Sequence, residues 1–186
     1  MGYVSRGGLK LEGALKHFQI PVTGRICLDV GSSTGGFTDC LLQAGAKSVW
    51  AVDVGYGLLD YNLRTDPRVH VLEKTNFRFI EPTRIAERPT LIVADVSFIS
   101  LDKILPKIAE SIAQDADVVV LVKPQFEGTP KEAPRGFVKD EATRQAILGR
   151  VKEMANKTGF VFKGVADSVI AGRKGNQETF FHLTKQ

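Results

Sequence analysis

Short apolar runs alternate with amphipathic stretches along almost the whole chain. Ile26 to Val30, Ser48 to Val54, Val69 to Leu72, Leu91 to Val96 and Asp117 to Val122 have strand length and are rich in β-branched residues. The run Asp-Val-Val-Val-Leu-Val at Asp117 to Val122 has no polar alternation after its first residue, as expected of a parallel strand buried on both faces. Helical spacing marks Tyr3 to Ile20, with Leu9, Leu11, Leu15 and Phe18 as its apolar positions and Pro21 as its stop. It also marks Phe37 to Gln43, Tyr56 to Asp66, Ser100 to Ala113, and a helix capped by Asp140 that runs to about Lys157 and ends at Gly159. Two last runs, Phe160 to Ser168 and Gln177 to Leu183, follow each other without a helix between them, which predicts an antiparallel final hairpin. The pattern is that of one doubly wound, Rossmann-like α/β domain, with a mostly parallel seven-stranded sheet and an antiparallel last strand.

Composition narrows the class without choosing a function. The 186 residues suffice for one domain with a sizeable core, and no apolar run approaches the eighteen or so residues of a membrane span. Met1-Gly2 leads directly into Tyr-Val-Ser-Arg, with no signal-peptide pattern, so the expected location is cytoplasmic. Cys27 and Cys40 fall on the first strand and first helix in no metal-like spacing, and His17, His70 and His182 are scattered singly. They read as buried thiols and as surface or packing residues, and no metal site is expected. A formal net charge of +4 permits a polyanionic partner without requiring one.

The first chemistry-bearing stretch is Ile26 to Phe37, Ile-Cys-Leu-Asp-Val-Gly-Ser-Ser-Thr-Gly-Gly-Phe. A strand breaks into small residues and a helix follows. Gly31, Gly35 and Gly36 let the backbone turn sharply and approach a ligand, and the next helix offers its first N–H groups. A dinucleotide turn needs a second glycine where Ser33 stands, and no Gly-Lys-Ser/Thr follows to make a P-loop. What remains is the turn of class I S-adenosylmethionine (SAM) methyltransferases, beside the plain alternative of a tight strand-to-helix connection. Asp29, Gly31, Ser32, Ser33, Thr34, Gly35, Gly36 and Phe37 are the candidate cofactor residues here.

Asp53 ends the second strand about twenty residues beyond the turn, where an acid can accept hydrogen bonds from both ribose hydroxyls. It supports a nucleoside ligand with Val54, and Asn76 and Phe77 sit where an adenine could be clamped. Open α/β sheets bind ligands outside the carboxyl ends of their strands, so Asp29, Asp53, Asp95 and Lys123 should face one crevice. Lys123 follows five apolar strand residues and is partly desolvated; its structural alternative is an ion pair with a neighbouring acid. The polar stretch Gly128 to Lys139 is too long for a plain connection, and long loops at this end usually contact substrate. Another loop, Val169 to Asn176, contains Gly172-Arg173-Lys174-Gly175. Lys131, Arg135, Lys139, Arg173 and Lys174, with Arg6, are the cations placed to meet a polyanionic partner.

Five blocks in order carry a family resemblance: Ser5 to Leu11, Asp29 to Thr38, Ala94 to Ser100, Val122 to Glu127 and Gly175 to Glu178. Together they resemble the TlyA family of FtsJ-like RNA methyltransferases, also known as hemolysin-like proteins. The resemblance covers essentially the whole chain and implies SAM-dependent methylation of ribose 2′-hydroxyls in ribosomal RNA. It also implies a Lys-Asp-Lys-Glu catalytic set, which falls on Lys10, Asp95, Lys123 and Glu178. A ribose hydroxyl is a poor nucleophile, and attack on a sulfonium methyl needs its proton removed or its oxyanion stabilised. Lys10 has a bland alternative as a solvated helix residue, and Glu178 as an exposed strand position.

The expected partners are ribosomal RNA or ribosomal subunits, with no membrane. The family normally carries a short S4-type RNA-binding domain ahead of the catalytic one, whereas only a few residues precede the first matching block here. Two other functions stay open: a membrane-active hemolysin, which needs a spanning or strongly amphipathic segment, and a small-molecule SAM methyltransferase on the same fold.

Overall fold

The structure, a computed structural model, describes residues 2–185. Its strands are β1 (Ile26–Val30), β2 (Ser48–Val52), β3 (Val69–Leu72), β4 (Leu91–Ala94), β5 (Asp117–Val122), β6 (Phe160–Asp167) and β7 (Thr179–Lys185). They form one sheet in the order β3-β2-β1-β4-β5-β7-β6. Pairings from β3 across to β5 are parallel, whereas β7 runs antiparallel to both β5 and β6. The expected last hairpin is present, and its second strand is inserted between β5 and β6 instead of lying at the edge. That insertion brings the start of β7 to the carboxyl end of β5, with Val122 opposite Thr179.

The helices are α1 (Arg6–Phe18), α2 (Gly36–Gln43), α3 (Tyr61–Thr65), α4 (Leu105–Ser111), the single turn α5 (Pro124–Glu127) and α6 (Glu141–Lys157). Strand alternation sorts side chains into two cores, one on each face of the sheet. Leu28, Ile92, Val118 and Phe181 pack with Ile108 of α4 and Val151 of α6, while Cys27, Leu91, Val119 and Phe180 pack with Leu11 of α1 and Leu41 of α2. Asp29 shares the second face with Cys27 and is flanked by Ala51 and Val93 on its neighbouring strands.

Several boundaries differ from the sequence pattern. α1 ends at Phe18 because Gln19 takes a left-handed conformation, φ 55°, and Ile20 N–H reaches back 3.0 Å to the Leu15 carbonyl. This αL cap stops the helix before Pro21 is reached. Leu9 is largely exposed and is not part of the buried face, which Leu11, Ala14 and Leu15 supply. The stretch Tyr56 to Asp66 is helical only over Tyr61–Thr65, where Asp60 caps Asn62 N–H. Ser100 to Ala113 splits into a 3₁₀ turn at Leu101–Lys103 and α4, with Pro106 in the first turn of the latter. The last two strands are Phe160–Asp167 and Thr179–Lys185, which leaves Glu178 just outside β7. α6 matches its expectation, and the Asp140 side chain accepts Thr143 N–H at 2.8 Å.

α1 crosses close to α2 because small residues line the contact. A Cβ on Gly36 would collide with Ser5 Oγ and press on the Gly8 backbone nitrogen. This close approach sets Lys10 over the turn that follows β1.

The cysteines are packing residues, whereas His17 and His70 lie at the surface and His182 is held by an acid. Cys27 and Cys40 are buried free thiols. His70 stacks on Trp50 at 4.3 Å, His17 lies edge-on to Phe18, and His182 Nε2 is 2.7 Å from Asp117 Oδ1.

Candidate active site

At the carboxyl ends of the strands three cavities adjoin. The first, of about 290 Å³, is lined by Ser5, Arg6, Gly7 and Lys10 of the α1 region and by Gly31, Ser32, Ser33, Thr34, Gly36, Phe37 and Asp95. Gly31 has φ +84°, and a Cβ there would meet the Asp95 carbonyl at 2.5 Å, so only glycine lets the β1 turn pass beneath the end of β4. Gly35, the residue before α2, has no side chain to cap the helix, so the Gly36 and Phe37 N–H groups at its start are left for a polar ligand.

A second cavity, of about 470 Å³, runs from the same turn toward β2 and β3. Its apolar walls include Val54, Leu58, Phe77, Ile99 and Ile104, and its polar groups include Asp53, Thr75 and Asn76. Asp53 already accepts Ser33 N–H at 2.8 Å on one oxygen and Gly55 N–H at 2.7 Å on the other. Each oxygen keeps a free lone pair, so the carboxylate is aimed by the backbone before any ligand arrives. An apolar slot with an acid fixed at one side, continuous with a glycine turn, fits a nucleoside and the short polar chain attached to it.

The third cavity, of about 250 Å³, lies on the other side of Asp95 and is lined by Arg6, Lys10, Ser97, Phe98, Lys123, Gln125, Phe126, Ala171, Gly172 and Glu178. Four residues far apart in sequence meet here as two ion pairs. Lys10 Nζ is 2.6 Å from Glu178 Oε2, and both side chains are nearly buried. The Lys123 ammonium abuts Asp95 Oδ1 without hydrogen-bond alignment and donates to Ser97 Oγ at 2.8 Å. Lys123 lies one residue beyond β5 and Asp95 one beyond β4; Glu178 lies one before β7. Antiparallel β7 therefore delivers its acid to the same end of the sheet as the parallel strands deliver theirs.

The structure brings together Lys10, Asp95, Lys123 and Glu178, and it excludes two bland alternatives. Lys10 is not a solvated helix residue, and Glu178, only 3% exposed, is not an outward strand position. Gly31, Ser32, Ser33, Thr34, Gly36, Phe37, Asp53, Val54, Asn76 and Phe77 all line the first two cavities. Two expected cofactor residues do not. Gly35 lines none of the three cavities; it is the residue before α2, with φ +98°, and packs on Leu59 and Leu63.

Asp29 likewise does not face the crevice, because mid-sheet pairing on both sides leaves it fully buried. Its Oδ2 accepts the Thr38 hydroxyl at 2.7 Å, while Oδ1 has no partner among the described residues. Burial pushes its carboxyl up to about 7, and nearby Asp95 and Asp53 push the same way against the Thr38 hydrogen bond. The folded state therefore holds a proton that the unfolded chain releases near pH 4, so this group's contribution to stability declines as pH rises toward 7. In urea unfolding at pH 5 and pH 8, an Asp29→Asn variant should lose less stability over that interval than the parent. Equal losses in the two proteins would contradict a protonated Asp29.

Residues missed by the sequence reading support this set. Gln125 donates from Nε2 to Glu178 Oε1 at 3.5 Å, and Ser97 holds Lys123. Half-buried Glu127 accepts Ser100 Oγ at 2.6 Å and Leu101 N–H at 2.9 Å, which ties α5 to the loop after Asp95, and desolvation raises its carboxyl above the usual range. Arg144, buried in α6, bonds both Asp167 oxygens and Thr179 Oγ1, and so clamps the start of β7 beside Glu178. Only spatial neighbourhood reveals these roles.

Of the expected RNA contacts, Lys131, Arg135, Lys139 and Lys174 are exposed on the loops flanking the third cavity, and Arg6 lines two cavities. The Arg173 side chain lies outside the described part of the structure. The two loops are joined: Asn176 accepts Val138 N–H and donates to the Gly136 carbonyl, and Lys174 Nζ donates to the Arg135 carbonyl at 2.6 Å.

Residues 3–185 match the family described as FtsJ-like methyltransferase. Two curated relatives cover nearly all of this chain. YqxC of Bacillus subtilis, which bears an rRNA-methyltransferase name, is 48% identical over 97% of the chain and 65% of its own length. The 16S/23S rRNA (cytidine-2′-O)-methyltransferase TlyA of Mycobacterium tuberculosis is 50% identical over 99% of the chain and 69% of its own length. A solved structure of a hemolysin-named protein from Streptococcus thermophilus has a TM-score of 0.98 at 46% identity, covering 100% of this chain and 68% of that one. The chain thus spans about two thirds of the length of the curated relatives it matches.

Proposed function

Because the chain belongs to the FtsJ-like methyltransferase family, we propose that it is a catalytic domain that transfers a methyl group from SAM to a ribose 2′-hydroxyl of ribosomal RNA in the cytoplasm. One observation carries the reading: the ion pairs Lys10–Glu178 and Lys123–Asp95 meet between a nucleoside-shaped crevice and a second cavity open to solvent. Asp95 lines both cavities of the crevice, and its ion-pair partner Lys123 lines the third, so this pair marks the place where cofactor and acceptor would meet.

Asp53 would hold the cofactor's ribose, Phe77 and Ile99 would flank its base, and the β1 turn with the first turn of α2 would take its amino-acid end. SAM supplies an electrophilic methyl on a sulfonium centre. The acceptor oxygen forms a bond to that carbon as the carbon–sulfur pair returns to sulfur, and the hydroxyl proton has to leave.

Lys123 is placed to manage that proton. Asp95 and Ser97 occupy two directions around its nitrogen. The remaining direction presents either a lone pair, which accepts the proton, or an N–H, which stabilises the oxyanion. Lys10 and Glu178 neutralise each other and fix the opposite wall, with Gln125 on the second Glu178 oxygen. Phe98, 84% exposed and in a left-handed conformation at φ +61°, packs with Phe126 at 5.0 Å on the rim of the acceptor cavity. It offers a base a stacking surface.

The direct test is transfer of labelled methyl from SAM to total rRNA and to assembled ribosomal subunits, followed by mapping of alkali-resistant positions. Label confined to base atoms, or present in small metabolites alone, would overturn the proposal. The RNA face has its own test. Arg135 and Lys139 should touch phosphates, so Arg135→Ala/Lys139→Ala should weaken rRNA binding and reduce its salt slope by about 1.4 to 1.8. Unchanged affinity and slope would move the RNA elsewhere.

A further inference from the structure

The opposite flank of the same sheet edge carries a group of side chains that the mechanism does not use. Tyr56, after β2, and Phe79, after β3, are 70% and 72% exposed, which is unusual for rings on a surface with apolar cavities close by. A cation lies over each: Lys74 Nζ is 4.4 Å from the Tyr56 ring centre and the Arg78 guanidinium is 4.9 Å from that of Phe79. Arg84 joins them through Thr75 Oγ1.

Their charges are not spent on carboxylates. Some surface cations elsewhere are neutralised by a carboxylate, as in Lys47–Glu87, Lys107–Glu110 and Arg150–Glu132. Lys74, Arg78 and Arg84 form no ion pair with a carboxylate among the described residues. Glu73, the acid adjoining Lys74, is taken by Arg64 and by Gly57 N–H. The charges are thus left available and are parked on rings.

We infer that this rim is a second RNA-contacting surface: Lys74, Arg78 and Arg84 hold phosphates, and Tyr56 and Phe79 stack unpaired bases. The inference rests on the reading of the protein as an RNA enzyme. Sheet order gives it a geometry. The rim lies at the carboxyl ends of β2 and β3, while Lys131, Arg135, Lys139 and Lys174 lie on loops beyond β5 and between β6 and β7. From β3 to β5 is four strand spacings, about 19 Å. A stacked strand at about 3.4 Å per nucleotide covers that in roughly six nucleotides. An RNA held at both flanks passes across the mouth of the cofactor crevice and reaches the acceptor cavity at its β5 end.

An anionic membrane is the competing partner for exposed rings beside cations. RNA is favoured because the rings sit on loops rather than on one face of a helix, and no helix among the described residues is long and apolar enough to cross a membrane.

The test compares the parent with Lys74→Ala/Arg78→Ala and Tyr56→Ala/Phe79→Ala. Filter binding to purified rRNA over a salt series should show the first variant lowering the salt slope by about 1.4 to 1.8. The second should weaken binding by about fivefold or more at an unchanged slope. Calorimetry with SAM should give the parent affinity for both, because neither pair lines the cofactor cavities. If both variants bind rRNA like the parent while Arg135→Ala/Lys139→Ala does not, this surface is refuted and the RNA reading stands. If the parent itself fails to bind rRNA, that reading falls and takes this inference with it. A specific loss of SAM affinity in the ring variant would reassign the rim to the cofactor. Co-sedimentation of the parent, but not the variants, with phosphatidylglycerol vesicles would reassign it to lipid.

Discussion

Replacing Lys123 with alanine should lower methyl transfer to a validated RNA substrate by about a hundredfold or more while leaving SAM affinity nearly intact. The reason lies in the position of the side chain. Its nitrogen is on the acceptor side of Asp95, held by Asp95 and Ser97, and does not line the crevice assigned to the nucleoside. Removing it would take away the group proposed to act on the reacting oxygen while leaving the lining of the two crevice cavities in place. Lys123→Arg separates the two roles open to it. Arginine keeps a cation near Asp95 but cannot lose its proton, so an arginine variant as inactive as the alanine one supports proton abstraction. Partial rescue by arginine, with no inflection in the parent's rate–pH profile below the ordinary lysine range, supports oxyanion stabilisation instead. Substantial activity in Lys123→Ala would remove both roles and the four-residue assignment with them.

The second large effect should fall on cofactor binding. Asp53→Ala should weaken SAM by about 1.5 to 3 kcal/mol, the worth of hydrogen bonds to a charged acceptor, or roughly ten- to 150-fold in Kd. Asp53 ties Ser33 N–H to Gly55 N–H across the crevice and, in the proposed role, also offers lone pairs to the ribose. Calorimetry on Asp53→Asn divides these contributions. An amide retains one acceptor oxygen, so an intermediate loss is expected. An affinity unchanged in the alanine variant, or tighter binding of NAD than of SAM by the parent, would show that the ribose is held elsewhere.

How legible the protein was in its sequence depended on the range of each interaction. The β1 turn was readable because its requirements are local: strand-length burial, backbone angles that only glycine meets at Gly31, and a helix starting within a few residues. The Asp140 cap and the end of α6 at Gly159 were readable for the same reason. Period and alternation gave the seven strands, including the antiparallel pair. They could not give the place of β7 between β5 and β6, since either edge satisfies the same alternation.

The proposed catalytic set lies at the other extreme. The residues alone indicated a partly desolvated Lys123 at a strand end; Lys10 and Glu178 entered through family resemblance, since each by itself reads as an ordinary surface residue. Only the sheet makes them partners: Lys10 reaches Glu178 across 168 positions because α1 packs tightly on α2 and β7 runs backwards beside β5. Asp29 shows the same limit in reverse. Its place at a strand end suggested a crevice residue, yet pairing with both β2 and β4 buried it under the turn. The chain's local chemistry determined which elements form and where a nucleoside could lie, because backbone sterics and hydrophobic period act over a few residues. Which acid faces which lysine was decided by strand order and register, which arise from the packing of the whole sheet.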